Sequence, residues 1–235
     1  VRLKKGLIQR VTVNMPSDTQ MMSTQQPKKR GRPRLTEQDL KFNQAHVLES
    51  MARLLGQYPI HQLSVEQLIA DANISRPSFY RWFPQGLDQA LDLLIDHVND
   101  VLMRRIVLAV MMENNPEDRI RRAIKVYFDW VFEHINVVKG IYAAAFDESS
   151  IPYRYRRRSI EQVLEIIRVQ ADNVGMSHVT PLMIETLILW IETSGLASLR
   201  YINGDKKILD DQCKLTTDMV LLLFVAMRDR TIDHL

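Results

Sequence analysis

The sequence has a single cysteine, Cys213, among its 235 residues. One thiol excludes a disulfide scaffold and any zinc or iron–sulfur site built from several cysteines, and it is typical of a reducing compartment. No membrane span is expected, because the apolar stretch Val220–Met227 is less than half as long as the roughly 20 residues that a spanning helix needs. Eight Gly and nine Pro residues are too few for a collagen-like or low-complexity chain.

Positive charge is concentrated at the N-terminus, although the net charge of the whole chain is only +3. Residues 1–35 carry nine Lys or Arg residues and one Asp, a net charge of +8. The other 200 residues carry 22 basic and 27 acidic groups, a net charge of −5. A basic segment ahead of a mildly acidic body predicts a polyanionic partner.

Residues 1–35 lack a sustained apolar period, and we expect them to be disordered until they meet a partner. No apolar core of signal-peptide length follows the first basic residues, so secretion is not expected. Met15, Met21 and Met22 are alternative start sites, which leaves open whether residues 1–21 belong to the native protein.

From Thr36 onward the apolar residues recur at helical spacing, and no segment alternates as a strand would. Thr36 and Ser64 are good N-cap residues, and Asn115-Pro116 and Thr180-Pro181 each place proline directly after an N-cap. Nine helices with short connections predict an all-α fold. The predicted helices span about 36–56, 64–72, 75–83, 87–111, 116–134, 137–145, 152–174, 181–202 and 207–228.

Two of these helices are short and have the size and spacing of a helix-turn-helix, with Asp71–Ile74 as the connection. In that motif the N-terminal side chains of the second helix contact base edges in the major groove. Tyr80 and Arg81 lie further along the same helix, where a hydroxyl and a guanidinium can reach phosphates. A plain helical hairpin inside a larger bundle would show the same pattern.

Residues Val65–Phe83 resemble the recognition segment of the TetR (tetracycline-repressor) family of bacterial transcription regulators. The shared marks are an apolar-Ala pair, a small residue before the turn, a serine that opens the second helix, and a Tyr-x-aromatic-Phe sequence that closes it. Asn73 stands in the turn where the family usually has Gly, and Asn is the next-best residue for a left-handed backbone. Gly86 stands where the family usually has a Lys at the start of the next helix.

The resemblance implies a disordered basic arm over 1–35, a helix-turn-helix DNA-binding domain over 36–86 and a ligand-binding and dimerisation domain over 87–235. It implies a homodimer through the last two helices, about 181–202 and 207–228. The implied partners are double-stranded DNA with a palindromic operator and a small-molecule effector of unknown identity. The alternative is that the small and apolar residues of these two helices are buried inside a monomer.

The sequence Arg30-Gly31-Arg32-Pro33, directly before the first helix, matches the core of the AT-hook motif. Gly31 allows an extended backbone to lie deep in a narrow minor groove, and the two arginines follow its negative potential. The alternative is a solvated basic tail without a specific site. The predicted DNA contacts of the whole chain are Arg30, Gly31, Arg32, Pro33, Ser64, Ser75, Arg76, Pro77, Ser78, Tyr80 and Arg81.

A second basic cluster, Arg154–Arg158, fits a phosphate, a CoA-type ligand, a second DNA segment or a solvated helix start. A pocket assembled from several helices leaves no local sequence signature, so no ligand contact is predicted. Four aromatic residues could line such a pocket or fill the core: Tyr127, Trp130, Tyr142 and Trp190.

No catalytic residue, metal site or cofactor is predicted. His97, His134 and His178 have no metal-ligand spacing, and neither a phosphate-binding loop nor a nucleophile motif is present. The expected function is a sequence-specific transcriptional regulator, and most simply a repressor, in the bacterial cytoplasm at the nucleoid. The alternative is an architectural protein that binds AT-rich DNA without an effector.

Overall fold

The computed structural model describes residues 36–173, 176, 178–202 and 205–230. The predicted basic arm, with Arg30, Gly31, Arg32 and Pro33, lies outside these residues. Within them the chain forms nine α-helices, two short 3₁₀ turns (Ile60–Gln62 and Ala144–Phe146) and no strand, so the all-α prediction is confirmed. The helices are α1 Glu37–Leu55, α2 Val65–Asp71, α3 Arg76–Trp82, α4 Leu87–Met112, α5 Pro116–Glu133, α6 Ile135–Ile141, α7 Ile151–Asn173, α8 Pro181–Ser198 and α9 Lys206–Arg230.

Several helices begin where a side chain satisfies free N–H groups of the first turn. Thr36 forms a capping box with Asp39, and Ser64 forms another with Gln67. Asn115 and Thr180 cap α5 and α8, each with a proline next in sequence. Since these bonds are local, the starts of these four helices were readable from the sequence.

Two predicted helix ends are wrong by several residues. Helix α8 ends at Ser198 rather than near Ile202, because the chain tightens into i→i+3 bonds from Arg200 N to Ala197 O (3.2 Å) and from Tyr201 N to Ser198 O (3.0 Å). The predicted helix over 137–145 divides into α6 and the turn Ala144–Phe146, where Ala145 N bonds to Tyr142 O at 3.1 Å.

The first hydrophobic core holds α1, α2 and α3, which we call the head, against the N-terminal half of α4. Phe79 and Phe83 are fully buried and stack on each other with ring centroids 5.3 Å apart. Val47 and Met51 of α1 are equally buried in this core. The apolar face of α4 continues it over Ala90–Val98, so the packing runs across the predicted domain boundary at residue 86.

A second hydrophobic core joins α5, α6, α8 and α9. Phe128 and Val131 of α5 lie in it with Leu209 and Val220 of α9. Together with α7, we call these helices the body. None of the helices in the described part of the chain is long and apolar enough to cross a bilayer.

Helix α6 connects the two cores. Val137 belongs to the first core and Val138 to the second. Gly140 lies so close to the end of α1 that a Cβ there would be 2.6 Å from the carbonyl oxygen of Leu55. A side chain larger than hydrogen would therefore push α1 and α6 apart, and the contact couples head and body.

Candidate nucleic-acid interface and ligand cavity

Helix α1 holds the two short helices in place through hydrogen bonds at their ends. Gln44 Nε2 donates to the carbonyl of Trp82 at the end of α3, with a distance of 2.9 Å. His46 Nε2 lies 2.9 Å from the carbonyl of Ala72 at the end of α2, and it must be the donor because a carbonyl only accepts. These bonds fix the ends of α2 and α3 against one rigid helix.

The turn between α2 and α3 has the left-handed backbone that the sequence predicted. Asn73 has φ +50°, the one positive φ at a non-glycine position among the described residues. Its N–H bonds to Ala70 O at 3.2 Å, and the next N–H, of Ile74, bonds to Ile69 O at 3.0 Å. Asn is therefore an adequate substitute for the Gly that the TetR family usually has.

The N-terminus of α3 is exposed and organised by two serines. The Ser75 hydroxyl accepts from Ser78 N at 3.3 Å and lies 2.9 Å from the Ser78 hydroxyl. Pro77 occupies the first turn, where it interrupts no helical bond. The four residues that the sequence predicted as base contacts thus form one continuous end of the helix: Ser75, Arg76, Pro77 and Ser78.

Arg76 is held at this end by two neighbours, although it is more than half exposed. Its Nη1 lies 2.8 Å from Glu66 Oε1 of α2, and its guanidinium lies over the Tyr80 ring at 5.9 Å from the centroid. The pKa of Arg76 is raised above its ordinary value. The largest cause is interaction with the Tyr80 hydroxyl, and the next is the negative charge of Glu66. Sequence reasoning missed Glu66, because nothing in the local pattern joins the first turns of two different helices.

Tyr80 and Arg81 both reach the surface, as a phosphate contact requires. The Tyr80 side chain is 41% exposed and packs edge-on against the buried ring of Phe79. Ser64 is half-buried, and its hydroxyl and backbone N–H bond to Gln67 within the cap of α2. Ser64 is therefore committed to the helix cap in this structure, whereas Tyr80 and Arg81 are open to a partner.

Gly86 explains why the chain lacks the family's usual Lys before α4. Its backbone has φ +76° and ψ −143°, a conformation almost restricted to glycine. A Cβ at this position would meet Tyr80 Cε1 at 3.7 Å, an ordinary contact. The restriction thus comes from the backbone rather than from space.

Most of the Arg154–Arg158 cluster is used in ion pairs. Arg154 lies 3.5 Å from Asp92, and Arg157 lies 3.0 Å from Glu185. Arg156 donates to Glu192 at 2.7 Å, with both side chains largely buried. These pairings leave little charge for the phosphate, CoA or second DNA site that the sequence left open.

Helix α4 and four helices of the body surround an apolar cavity of about 280 Å³. Its apolar wall comes from α4, α5, α7, α8 and α9 and includes Ile106, Ile120, Val163, Ile167, Leu187 and Phe224. A smaller cavity of about 120 Å³ adjoins it, and four side chains line both: Leu102, Tyr127, Ser159 and Glu192.

The sequence left open whether four aromatic residues line a pocket or fill the core, and the structure divides them between these two roles. Tyr127 lines both cavities, and Trp130 and Tyr142 line the smaller one. Trp190 instead packs against the second core. Burial raises the pKa of the Tyr127 hydroxyl, which therefore stays protonated, and its bond to the carbonyl of Glu192 is long at 3.4 Å.

The described structure combines three features. A helix-turn-helix with an exposed second helix is followed by a long connecting helix, α4, and by a helical body that lines an apolar cavity. Within the described residues, no group of three or more His, Cys, Asp and Glu side chains is arranged to hold a metal ion.

Solved structures share this architecture. A TetR-family transcriptional regulator from Streptomyces coelicolor superposes with a TM-score of 0.58 at 20% identity, covering 82% of this chain and 89% of that one. A TetR-family transcription regulator from Marinobacter aquaeolei gives 0.59 at 16% identity, covering 78% and 97%. The chain therefore has the TetR-family fold, and the resemblance carried by Val65–Phe83 is confirmed at that level.

Curated relatives match a smaller part of the chain, and no protein-family model matches it. The HTH-type transcriptional regulator EthR of Mycobacterium tuberculosis is 33% identical over 99 residues, which are 42% of this chain and 46% of EthR. The uncharacterized HTH-type regulator YuxN of Bacillus subtilis is 24% identical over 129 residues, 55% of this chain and 42% of YuxN. The chain thus spans less than half the length of these relatives.

Replacement of Gly86 by Ala should lower the free energy of unfolding by about 1–3 kcal/mol, because an L-residue is strained at this φ and ψ. Urea unfolding followed by circular dichroism measures the change. The exposed neighbour Gln85→Ala is the matched control and should change stability by less than about 0.5 kcal/mol. Equal stability of the two variants would show that the backbone at Gly86 is not constrained.

Proposed function

We propose that this protein is a sequence-specific DNA-binding transcriptional regulator, a repressor that a small-molecule effector releases from its operator. The exposed N-terminus of α3 carries the proposal: it presents Arg76 on a helix whose other face is anchored by fully buried Phe79. Helices of this kind insert into the major groove, where a bidentate arginine recognises guanine. The protein would then work on chromosomal DNA in the bacterial cytoplasm, at the nucleoid.

Each predicted contact has a role in this proposal. Ser75, Arg76, Pro77 and Ser78 face the base edges, whereas Tyr80 and Arg81 contact phosphates and set the register. Ser64 caps the start of α2, and in the proposal this helix end lies against the DNA backbone. Glu66 holds the Arg76 guanidinium at 2.8 Å, so the arginine is ordered before it meets DNA.

We propose that α8 and α9 form the homodimer interface. Their outer faces expose large apolar side chains: Leu182, Leu189, Leu215, Met219, Leu222 and Leu223. Leu182 and Leu222 are more than 70% exposed, and clustered apolar exposure on a monomer is typical of an interaction surface. A two-fold dimer would place two recognition helices on the two halves of a palindrome.

The effector site in this proposal is the apolar cavity of the body. Helix α4 runs from Gly86, beside Tyr80 of the recognition helix, to Leu102 and Met103 in the cavity wall. A ligand that prefers a shifted α4 would change the separation of the two recognition helices and so lower operator affinity. A second cavity of about 500 Å³ beside the Ile60–Gln62 turn has a less apolar lining, so it is not our choice.

The N-terminal arm adds a minor-groove contact in this proposal. Arg30, Gly31, Arg32 and Pro33 lie directly before α1 in sequence, on the chain that leads to the head. An arm at that position can enter the minor groove beside a major-groove helix.

Selection of genomic fragments by the purified protein at fixed physiological salt tests the proposed function. Recovery of a palindrome supports a dimeric, sequence-specific regulator. Recovery of AT-rich DNA without a palindrome would instead support the architectural alternative, in which the body serves only for assembly.

Arg76→Ala should weaken binding to the selected palindrome by about 1–3 kcal/mol, roughly 5- to 150-fold, because a bidentate base contact is lost. Fluorescence anisotropy at constant salt measures the affinity, and circular dichroism checks the fold. Arg104→Ala, which removes an exposed arginine paired with Asp100 within α4, is the charge-matched control. If both variants bind alike, Arg76 does not read the operator.

Leu222→Glu should convert the dimer to a monomer, because it places a charge on an apolar surface that is buried in the proposed interface. Sedimentation velocity measures the oligomeric state. Leu108→Glu, at a site on α4 that is 57% exposed, is the matched control and should leave the dimer intact. A dimer that survives Leu222→Glu but not Leu108→Glu would move the interface to α4.

Deletion of residues 1–34 should make operator binding less salt-dependent. Each phosphate neutralised by the arm contributes a slope of about −0.9 to log K against log salt concentration. Titrations at several salt concentrations, with full-length protein as the reference, give the difference. An unchanged slope would rule out the arm as a DNA contact.

A further inference from the structure

Arg119 is a cation without a carboxylate partner in the described part of the chain, in the wall of a mostly apolar cavity. It lies in α5, is half-buried, and lines the same 280 Å³ cavity as Ile120 and Val163. Its Nε donates to the carbonyl of Glu113 at 2.7 Å, and its Nη1 donates to Gln170 Oε1. Both acceptors are neutral, so the guanidinium charge is uncompensated by any ion pair in the described part of the chain.

The two bonds hold Arg119 in one orientation and leave most of its donors free. A guanidinium has five N–H donors, and two are used here. The three others have no partner among the described residues, and the side chain lines the cavity. A partly buried charge of this kind is unfavourable unless it is paired, which favours an anionic ligand.

The cavity lining offers no second free charge among the described residues. Its carboxylate, Glu192, is neutralised by Arg156 at 2.7 Å, and Arg156 also lies over the ring of Phe146 at 4.5 Å. An anionic group placed beside Glu192 would meet a carboxylate and a cation that is already paired. The electrostatics therefore direct an anion to Arg119.

We propose that the cavity binds an amphipathic monoanion, an unbranched apolar chain that ends in a carboxylate, with the carboxylate on Arg119. The apolar chain of this ligand lies between α4, α5, α7 and α8. It carries no further polar group, because the wall around it is apolar. This inference deepens the proposed function and rests on it for the consequence on DNA, but binding itself is measurable without DNA.

Isothermal titration of the purified full-length protein with three ten-carbon probes tests the proposal: decanoate, 1-decanol and decylammonium. Decanoate should bind at least about tenfold more tightly than decanol, although its head group is better hydrated, because the ion pair with Arg119 is charge-assisted. Decylammonium should show no saturable binding. Equal binding of decanoate and decanol, or no binding of decanoate, would overturn the proposal.

Arg119→Gln should abolish the preference for decanoate over decanol while decanol binding persists. The matched control is Arg121→Gln, which removes an exposed arginine two residues away whose partner is Asp218 at 3.8 Å, and it should behave like the unaltered protein. Ala123→Phe narrows the cavity and should weaken both probes. A preference that survives Arg119→Gln would place the head group elsewhere.

Addition of decanoate to the complex with the selected palindrome separates this inference from the proposed function. Tight decanoate binding together with unchanged DNA affinity would leave the ligand assignment standing and contradict effector control. Release of DNA by decanol and decanoate alike would support effector control and contradict the role of Arg119.

Discussion

The burial of Phe79 and Phe83 is the interaction on which the helix-turn-helix of this protein depends. Helix α3 has seven residues, too few to be stable alone in water. Both rings are fully buried, and each such side chain contributes roughly 1.5–3 kcal/mol when removed from water. This anchoring lets the rest of the α3 surface carry exposed residues, including Arg76 and Tyr80, that contribute little to folding.

Helix α4 links the core around Phe79 and Phe83 to the rest of the molecule. Its first turns complete the core beneath α3, and its later turns form a wall of the apolar cavity. Helix α6 makes a second connection, because Gly140 lies directly against the end of α1. Head and body are therefore joined at two places, and a change of packing in the cavity has a physical route to the recognition helix.

Charge is paired differently at the end of α3 and in the cavity. At the exposed end of α3, Arg76 is paired with Glu66 at 2.8 Å. In the cavity, Arg119 has only neutral acceptors, while neighbouring arginines of α7 are paired with carboxylates. The sequence shows 31 basic residues, but only the tertiary structure places Arg119 in the cavity wall.

Local patterns were enough for the capped starts of α1, α2, α5 and α8, for the helix-turn-helix and for the all-α class, because caps, apolar periods and the turn at Asn73 are local. The sequence also anticipated that Asn73 would accept a left-handed backbone, which its φ of +50° confirms. Only the tertiary structure decided that α8 ends at Ser198 and that Glu66 holds Arg76. It alone showed that Arg119 meets Gln170, because a contact across 51 residues depends on how whole helices pack and leaves no trace in local spacing.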